Sequence, residues 1–586
     1  MISRRLFLCA FVVSTFAISS AYGQPCDRIL KGEKAQTFKL AEYRSPQLVE
    51  AIEKLREMER EIRSLKNKLE SSDASDFWGF YLEYAEKSPA ARSPEKRAEV
   101  KKKIADLKFK IKKLEGLIEE LKEKNRLSLI PVLKERLAVP EDRGFFEDYK
   151  QILEVYRLPR SKLVSVLVGS SDRAPTDTEA TKYERLVAQL VAKNYTIIYD
   201  ADNKAAEIIA RAAGPRGIGI SMLPEAGARN ESGRPGIVLH FNNSYSFLEV
   251  VSHALPAIVS PDSTLGMAAL LNNDAGFVLD LDGNTKNRLH DWSRLLESEK
   301  RGFGISYRRL GITNSISAIV NATRVLESVR YSVFPAVKDP VNLKAFSISP
   351  NNMSLGEIIA LLEHVDVTRS GVRVLSGVRG AAVFGSSRLD EQVAPDTYQT
   401  AYWFGSRGIP VVTGGAGGVM YAANMGAFDA GGPSIGIPRV GRGALPYETD
   451  TRSDVQSHTV PTLDYHSRIP LLVDNRDLVI VEPGGNGTMR ELAATLVAIQ
   501  YSKRPPYVVI QNSKYYSHLL KFITNSSLSP EIKSHILVAD SAEKVASVVE
   551  ELESQKKVEI ERSLVNPRSD RHEFPKDEFE RMDAEE

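Results

Sequence analysis

One pattern limits the fold of this chain more than any other. Short β-rich runs, glycine turns and helical stretches follow one another in a fixed order, and the order occurs twice. In the second occurrence Ala381-Ala382-Val383-Phe384 ends in Gly385-Ser386-Ser387. Ile409-Pro410-Val411-Val412 then leads into Thr413-Gly414-Gly415-Ala416-Gly417-Gly418, with a helix expected from Met420 to Ala430 and a strand at Ser434-Ile435-Gly436-Ile437. Strands alternating with helices predict a parallel sheet covered on both faces. The first occurrence carries Val166-Leu167-Val168-Gly169-Ser170-Ser171, Tyr195-Thr196-Ile197-Ile198 and Gly217-Ile218-Gly219-Ile220 in the same order. The expected fold class is therefore α/β. It has two Rossmann-like doubly wound units, at 160–335 and 375–555, arising from an internal duplication. Residues 336–374 connect them and contain a helix expected over Leu355 to His364.

The N-terminus reads as an export signal. Arg4 and Arg5 precede the apolar run Leu6 to Ile18, and Ala21-Tyr22-Gly23 supplies a small-residue cleavage site. This is the layout of a signal peptide over 1–23, and the run is short of the roughly 20 residues that span a bilayer. Ser3 to Leu8 also resembles a twin-arginine motif. The expected mature protein is exported, periplasmic in a Gram-negative source, and free of the membrane after cleavage. Residues 24–159 read as an α-helical coiled-coil hairpin. Leu48, Leu55, Ile62 and Leu69 recur every seven residues, with Ala51, Met58 and Leu65 as a second row. Val100, Ile104, Leu107, Ile111, Leu114, Ile118 and Leu121 advance by fours and threes, the a/d seam of paired helices. Pairing within the chain and pairing between chains satisfy this period equally. Residues 556–586 are charged and aperiodic, which predicts a disordered tail.

Charge and cysteine usage exclude several function classes. Lys plus Arg number 78 against 76 Asp plus Glu, so bulk charge gives no reason to expect nucleic-acid binding. The chain has two cysteines, Cys9 and Cys26, too few for a disulfide framework or a Cys-rich zinc site. With no HExxH spacing either, neither a metal nor a cofactor is expected.

The chemistry is expected at Val479-Ile480-Val481-Glu482-Pro483-Gly484-Gly485-Asn486-Gly487-Thr488-Met489-Arg490-Glu491. A buried strand delivers a glycine turn, and a helix is expected to start around Thr488, with Glu491 on its first turn. Such a turn offers backbone N–H groups and a helix N-terminus to an anion. The motif Pro-Gly-Gly-x-Gly-Thr-x-x-Glu, with the upstream glycine cluster, resembles the Lonely Guy (LOG) family of nucleoside 5′-monophosphate phosphoribohydrolases, once labelled lysine decarboxylases. The family's Met-His-Glu-Arg-Lys segment has a counterpart in Tyr465-His466-Ser467-Arg468-Ile469, with Arg468 fifteen residues before Pro483 as in the family. Gly385-Ser386-Ser387 and Tyr515-Tyr516 match two further family segments. Tyr465, Ser467 and Ile469 depart from the family pattern, and the loop from Gly441 to Thr462 is unfamiliar beside it.

The resemblance implies that Arg468 and Glu491 are the catalytic pair for hydrolysing the N-glycosidic bond of a nucleoside 5′-monophosphate to free base and ribose 5-phosphate, a salvage reaction. The implied substrate-binding residues are Gly385, Ser386, Ser387, Gly414, Gly415, Gly417, Gly418, Gly484, Gly485, Gly487 and Thr488. The first unit fails the same test. Ala269 stands where Glu491 would be, Asp262 where Gly484 would be, Ser246 where Arg468 would be, and Asp200-Ala201-Asp202-Asn203-Lys204 replaces the first glycine loop. Carboxylates there would repel phosphate, so this copy is expected to be non-hydrolytic. The family is dimeric, which implies either a homo-oligomer or an intrachain pseudo-dimer of the two units. The alternative reading is a non-catalytic nucleotide-binding or sensor protein that uses the coiled coil as a partner surface.

Overall fold

The computed structural model describes residues 43–78, 94–158, 162–222, 236–254, 256–260, 262–272, 276–279, 310–313, 315–331 and 349–560, the last with gaps at 376–377, 389–391, 440–452, 463–464, 475, 526–527, 556 and 559. The expected signal peptide and nearly all of the expected tail lie outside the described residues, as does the first part of the Gly441–Thr462 loop. The chain divides into two units. One comprises Lys39–Pro140 with Ile348–Glu363, and the other holds the rest.

In the smaller unit, α1 (Pro46–Trp78) packs on α2 (Pro94–Leu137). Ile62, Leu65, Ile104 and Leu107 form the contact, flanked by Met58, Val100 and Ile111, all from the rows read in the sequence. Lys103 pairs with Glu61 at 2.8 Å, and the Asn125 side chain donates to the Tyr43 carbonyl at 3.0 Å. Position rises along one helix as it falls along the other, so the two run antiparallel.

The larger unit opens with α3 (Pro140–Tyr156) and contains two sheets. The first has β1 (Leu163–Leu167), β2 (Thr196–Asp200), β3 (Gly217–Ser221), β4 (Ile237–His240), β5 (Ala257–Val259), β6 (Gly276–Leu279) and β7 (Leu310–Thr313). Its helices are α4 (Asp177–Ala192), α5 (Ala206–Ala213), α6 (Ser244–His253), α7 (Thr264–Asn272) and α8 (Ile316–Tyr331). After α9 (Leu355–Leu375), which runs well past the His364 end expected, the second sheet has β8 (Ala381–Phe384), β9 (Val411–Thr413), β10 (Ser434–Gly436), β11 (His458–Thr459), β12 (Leu478–Val481), β13 (Tyr507–Gln511) and β14 (Ile536–Ala539). Its helices are α10 (Ala394–Ser406), α11 (Val419–Asp429), α12 (Tyr465–Val473), α13 (Asn486–Tyr501), α14 (Ser517–Asn525), α15 (Pro530–Ser534) and α16 (Ala542–Ser554).

The strand orders are β4-β3-β2-β1-β5-β6-β7 and β11-β10-β9-β8-β12-β13-β14, and the paired strands are parallel. Side chains alternate between faces with period two. In β12, Val479 and Val481 enter one apolar cluster and Leu478 and Ile480 another. Both faces of the strand are thus buried, which is why it reads as an unbroken apolar run. In each sheet the chain starts at a central strand, moves outward through three more strands and returns to the other side of the first. That reversal places a ligand crevice between β8 and β12, beyond their carboxyl ends.

The two sheets share one apolar core. Tyr245, Phe247, Leu248, Leu265, Met267 and Leu270 of the first half pack in the same cluster as Leu472, Met489, Leu492, Leu496 and Ile499 of the second. The helices that meet are α6 and α7 on one side and α12 and α13 on the other, the corresponding helices of the two halves. Phe247 is fully buried and sets its ring edge-to-face with Tyr501, centroids 5.4 Å apart. Phe247→Ala is expected to cost about 3–5 kcal/mol and to lower the stability of both sheets in one transition. Denaturant unfolding followed in parallel by tryptophan fluorescence and far-ultraviolet circular dichroism checks this.

Polar links also join the halves. The Ser244 hydroxyl donates to Asp474 at 2.8 Å, and the Tyr501 hydroxyl donates to Asp200 at 3.0 Å. Asp148 of α3 accepts from the Asn242 N–H and side chain at 2.9 and 2.8 Å, just before α6. Burial pushes the Asp148, Asp200 and Asp474 carboxyls up to about 7, with Asp202 adding to the effect at Asp200. Their protonated forms are therefore favoured in the fold. The stability they give is complete below the ordinary aspartate pKa and is lost as pH rises through 7. Glu179, held down to about 2 by Arg173 against its burial, titrates below this window. Unfolding free energy is expected to fall by on the order of several kcal/mol from pH 5 to pH 8, and Asp148→Asn to flatten the slope. Urea titrations at stepped pH measure both.

Candidate active site

Three loops converge at the crevice between β8 and β12. Val481 pairs with Phe384, so the next residues, Glu482 and Gly385, leave the sheet side by side. The Ser386 N–H donates to the Pro483 carbonyl at 3.0 Å, and the Val419 N–H donates to the Ser386 carbonyl at 2.9 Å. Gly418, which precedes α11, sits at φ +62°, and a Cβ on it would lie 2.5 and 2.6 Å from the carbonyl oxygens of Arg388 and Ser386. A Cβ on Gly484 would lie 2.0 Å from the Thr488 hydroxyl oxygen. Only glycine lets these backbones approach so closely. Gly417 borders the Ser387 carbonyl.

Two details differ from expectation. The Gly415 N–H donates to the Thr413 hydroxyl at 2.9 Å, so it points into the fold and not into the crevice. Helix α13 begins at Asn486, two residues before the expected start, because Gly487 continues the helix instead of the turn. Glu491 therefore lies in the second helical turn. Gly485, half-buried, precedes the helix, and Gly487 is exposed. Thr488 is buried, and its hydroxyl oxygen has no hydrogen-bond partner among the described residues.

Arg468 is 6% exposed and reaches the crevice from α12. Its Nε donates to the Ile437 carbonyl at 2.9 Å and a terminal nitrogen donates to the Gly414 carbonyl at 3.0 Å. Two of the five guanidinium N–H groups thus brace the ends of β9 and β10. The other three have no acceptor among the described residues. Glu491 arrives from the β12 side, 7% exposed. It stands near Tyr516, whose phenol is pushed well above its ordinary range by burial first and then by Tyr515, Glu482 and Glu491. The Tyr516 hydroxyl donates to the Glu482 carbonyl at 2.7 Å, and the Tyr515 hydroxyl donates to the Gly484 carbonyl at 3.4 Å. The late Tyr-Tyr segment therefore buttresses the glycine turn.

Glu482 stands in the motif, yet the sequence gives it no role. It is fully buried, and its carboxylate accepts from the Thr397 hydroxyl at 2.9 Å and the Asn512 side chain at 2.8 Å. A carboxylate closing the apolar strand Leu478–Val481 was the available signal. His466 neighbours Arg468 in sequence, but its ring meets Tyr149, Tyr156 and Tyr245, with centroids 5.7, 6.3 and 5.7 Å away. Tyr465 lies under the guanidinium groups of Arg439 and Arg490, at 4.4 and 4.6 Å from the ring centroid. No group of three or more metal-ligating side chains occurs among the described residues.

A family model described as "Possible lysine decarboxylase" matches residues 420–549, from α11 into α16. An uncharacterized protein of Archaeoglobus fulgidus is 30% identical over 138 residues, which is 23% of this chain and 85% of that protein. A probable cytokinin riboside 5′-monophosphate phosphoribohydrolase of Oryza sativa subsp. japonica is 28% identical over 156 residues, 25% of this chain and 70% of the relative. The C-terminal α/β half belongs to the LOG family. Among solved structures, the molybdenum cofactor binding protein from Rippkaea orientalis is 23% identical, with 29% of this chain and 95% of that one covered at a TM-score of 0.24.

The LOG half and the first half differ at the crevice in the direction the sequence indicates. Where the LOG half has Gly484, the first half has Asp262, which is buried and accepts from the Ser260 hydroxyl. It also pairs with Arg173 at 3.0 Å, and Arg173 pairs in turn with Glu179 at 2.6 Å. An internal carboxylate and its arginine occupy the turn that is glycine in the LOG half. The carboxylates in place of the first glycine loop are turned inward as well. Asp202 accepts from the Ser221 hydroxyl at 2.6 Å and the Met222 N–H at 2.8 Å.

Proposed function

We propose that the LOG half hydrolyses the N-glycosidic bond of nucleoside 5′-monophosphates. Water adds to the ribose anomeric carbon, and the base departs with a proton. The observation that carries this reading is Arg468. It is a buried guanidinium fixed by two carbonyls on the rim of the glycine loops, with donors remaining for phosphate or for the leaving base. Breaking the bond builds positive charge on the ribose, and a carboxylate at Glu491 stabilises it and orders the ribose hydroxyls or the attacking water. The backbone N–H groups near Gly485 and Gly487, at the start of α13, suit the 5′-phosphate.

We infer further that the first half is a non-hydrolytic duplicate standing in the place of a dimer partner, which gives one site per chain, and that the antiparallel helices α1 and α2 form a coiled-coil hairpin. The protein works after export, in salvage of nucleotides. The internally occupied Asp262–Arg173 turn supports the single site. Incubation with AMP, GMP, CMP and UMP, followed by chromatography for free base, tests the reaction. Calorimetric titration tests the stoichiometry. Nucleotide binding without base release would make the protein a nucleotide binder or sensor, and two equivalent sites per chain would remove the pseudo-dimer.

A further inference from the structure

The face between the halves is built from corresponding helices, yet two of its polar contacts are made in one direction only. Taking Pro261 and Pro483 as equivalent positions, Glu249 of α6 corresponds to Leu471 of α12, and Ser244 corresponds to His466. Arg490 of α13 corresponds to Ala268 of α7, and Asn272 to Ala494. The Arg490 Nε donates to the Asn272 side chain at 2.9 Å, whereas the reverse pairing would set Ala268 against Ala494. Glu249 accepts from the Tyr245 hydroxyl at 2.9 Å and from the Tyr156 hydroxyl. These two tyrosine rings flank the His466 ring, and the His466 Nδ1 has no hydrogen-bond partner among the described residues. Packing pushes the Glu249 carboxyl up, but His466, Tyr156, Arg490 and Tyr245 outweigh it and leave the group below its ordinary value. Glu249 thus anchors the two tyrosines that pack on His466 of the LOG half. In the reverse direction, Leu471 would face Ser244 and Ala268.

His466 lies two residues before Arg468, and Arg490 lies next to Glu491. We propose that Glu249, supplied by the first half, is a positioning residue for the LOG half: through the Tyr156 and Tyr245 hydroxyls it fixes the rings that seat His466, and with His466 the start of α12 that carries Arg468. This rests on the hydrolytic reading given above. A second LOG half docked in place of the first would set Leu471 where Glu249 stands and offer no acceptor there, so this face favours its own chain's first half.

The test uses the full chain. Glu249→Gln keeps the shape and removes the charge. The histidine imidazole resonances are recorded by two-bond 1H–15N correlation, with the His466 signals identified by their loss in His466→Asn. Base release and thermal unfolding are measured on the same samples. In Glu249→Gln the His466 resonances are expected to move. The turnover number is expected to fall at least tenfold while KM stays within twofold, and Glu249→Asp is expected to recover part of the loss. Unmoved resonances overturn the proposal, as does a turnover number equal to wild type. Should Glu249→Gln fail to fold, Tyr156→Phe combined with Tyr245→Phe strips both hydroxyl donors from the carboxylate and is read in the same way. If the wild-type chain releases no base, the hydrolytic reading fails on its own, and the resonances still decide whether Glu249 holds His466.

Discussion

Replacing Glu491 by alanine is expected to reduce base release from nucleoside monophosphates by about 10²–10³-fold and to leave the fold intact. The size of the loss follows from the chemistry. Positive charge on the ribose exists only near the transition state, so a carboxylate that meets it acts mainly on turnover and little on substrate affinity. The tolerance of the fold follows from the first half. Ala269 occupies the corresponding position there, fully buried in α7, in a sheet of the same strand order. The hydrogen bond from the Thr495 hydroxyl to the Glu491 backbone carbonyl, 2.8 Å, does not involve the side chain that is removed. Chromatographic base release with a parallel thermal melt separates lost chemistry from lost structure, and unchanged turnover would remove Glu491 from the reaction.

Gly418→Ala is expected to reduce kcat/KM by at least about 10²-fold through a different route, distortion of the loops themselves. At φ +62° an alanine is strained on backbone grounds alone. Its Cβ would also press within 2.6 Å of two carbonyl oxygens in the loop that follows β8. Neither atom is the end of a flexible side chain, so the loops that begin at Gly385 and Gly414 must separate. A displacement near 1 Å at a positioning loop costs on the order of 10²-fold in rate. Both KM and turnover should worsen, in contrast to Glu491→Ala. Wild-type kinetics in a folded Gly418→Ala chain would show that this junction does not shape the site.

The parts legible in the sequence were those with strong local signals. The unbroken apolar strand Leu478–Val481 ending in a glycine turn marked β12 and the crevice beside it. Ile62, Leu65, Ile104 and Leu107 were visible as seven-residue rows because the helices that carry them bury one narrow stripe. Other parts depend on contacts between residues distant in the chain. Nothing near Arg468 in sequence announces that the carbonyls of Gly414 and Ile437 will take two of its donors. Nothing near Glu482 names Thr397 and Asn512 as the groups that make its burial tolerable. The direction of the Gly415 N–H was unreadable for a related reason. A glycine cluster shows that backbones come close, while Thr413 decides which way one amide turns. His466 stands two residues before Arg468, yet the two do not share a face. Residues two apart on a helix point about 200° away from each other, and that angle carries its ring to the tyrosines of the other face.

The apolar core common to both sheets has a kinetic and cellular consequence. Separate subunits that meet through such helices are governed by an association equilibrium, and dilution drives them apart. When both belong to one polypeptide, their local concentration is set by covalent linkage and carries no dependence on how much protein is present. Activity per molecule should therefore hold constant down to nanomolar protein.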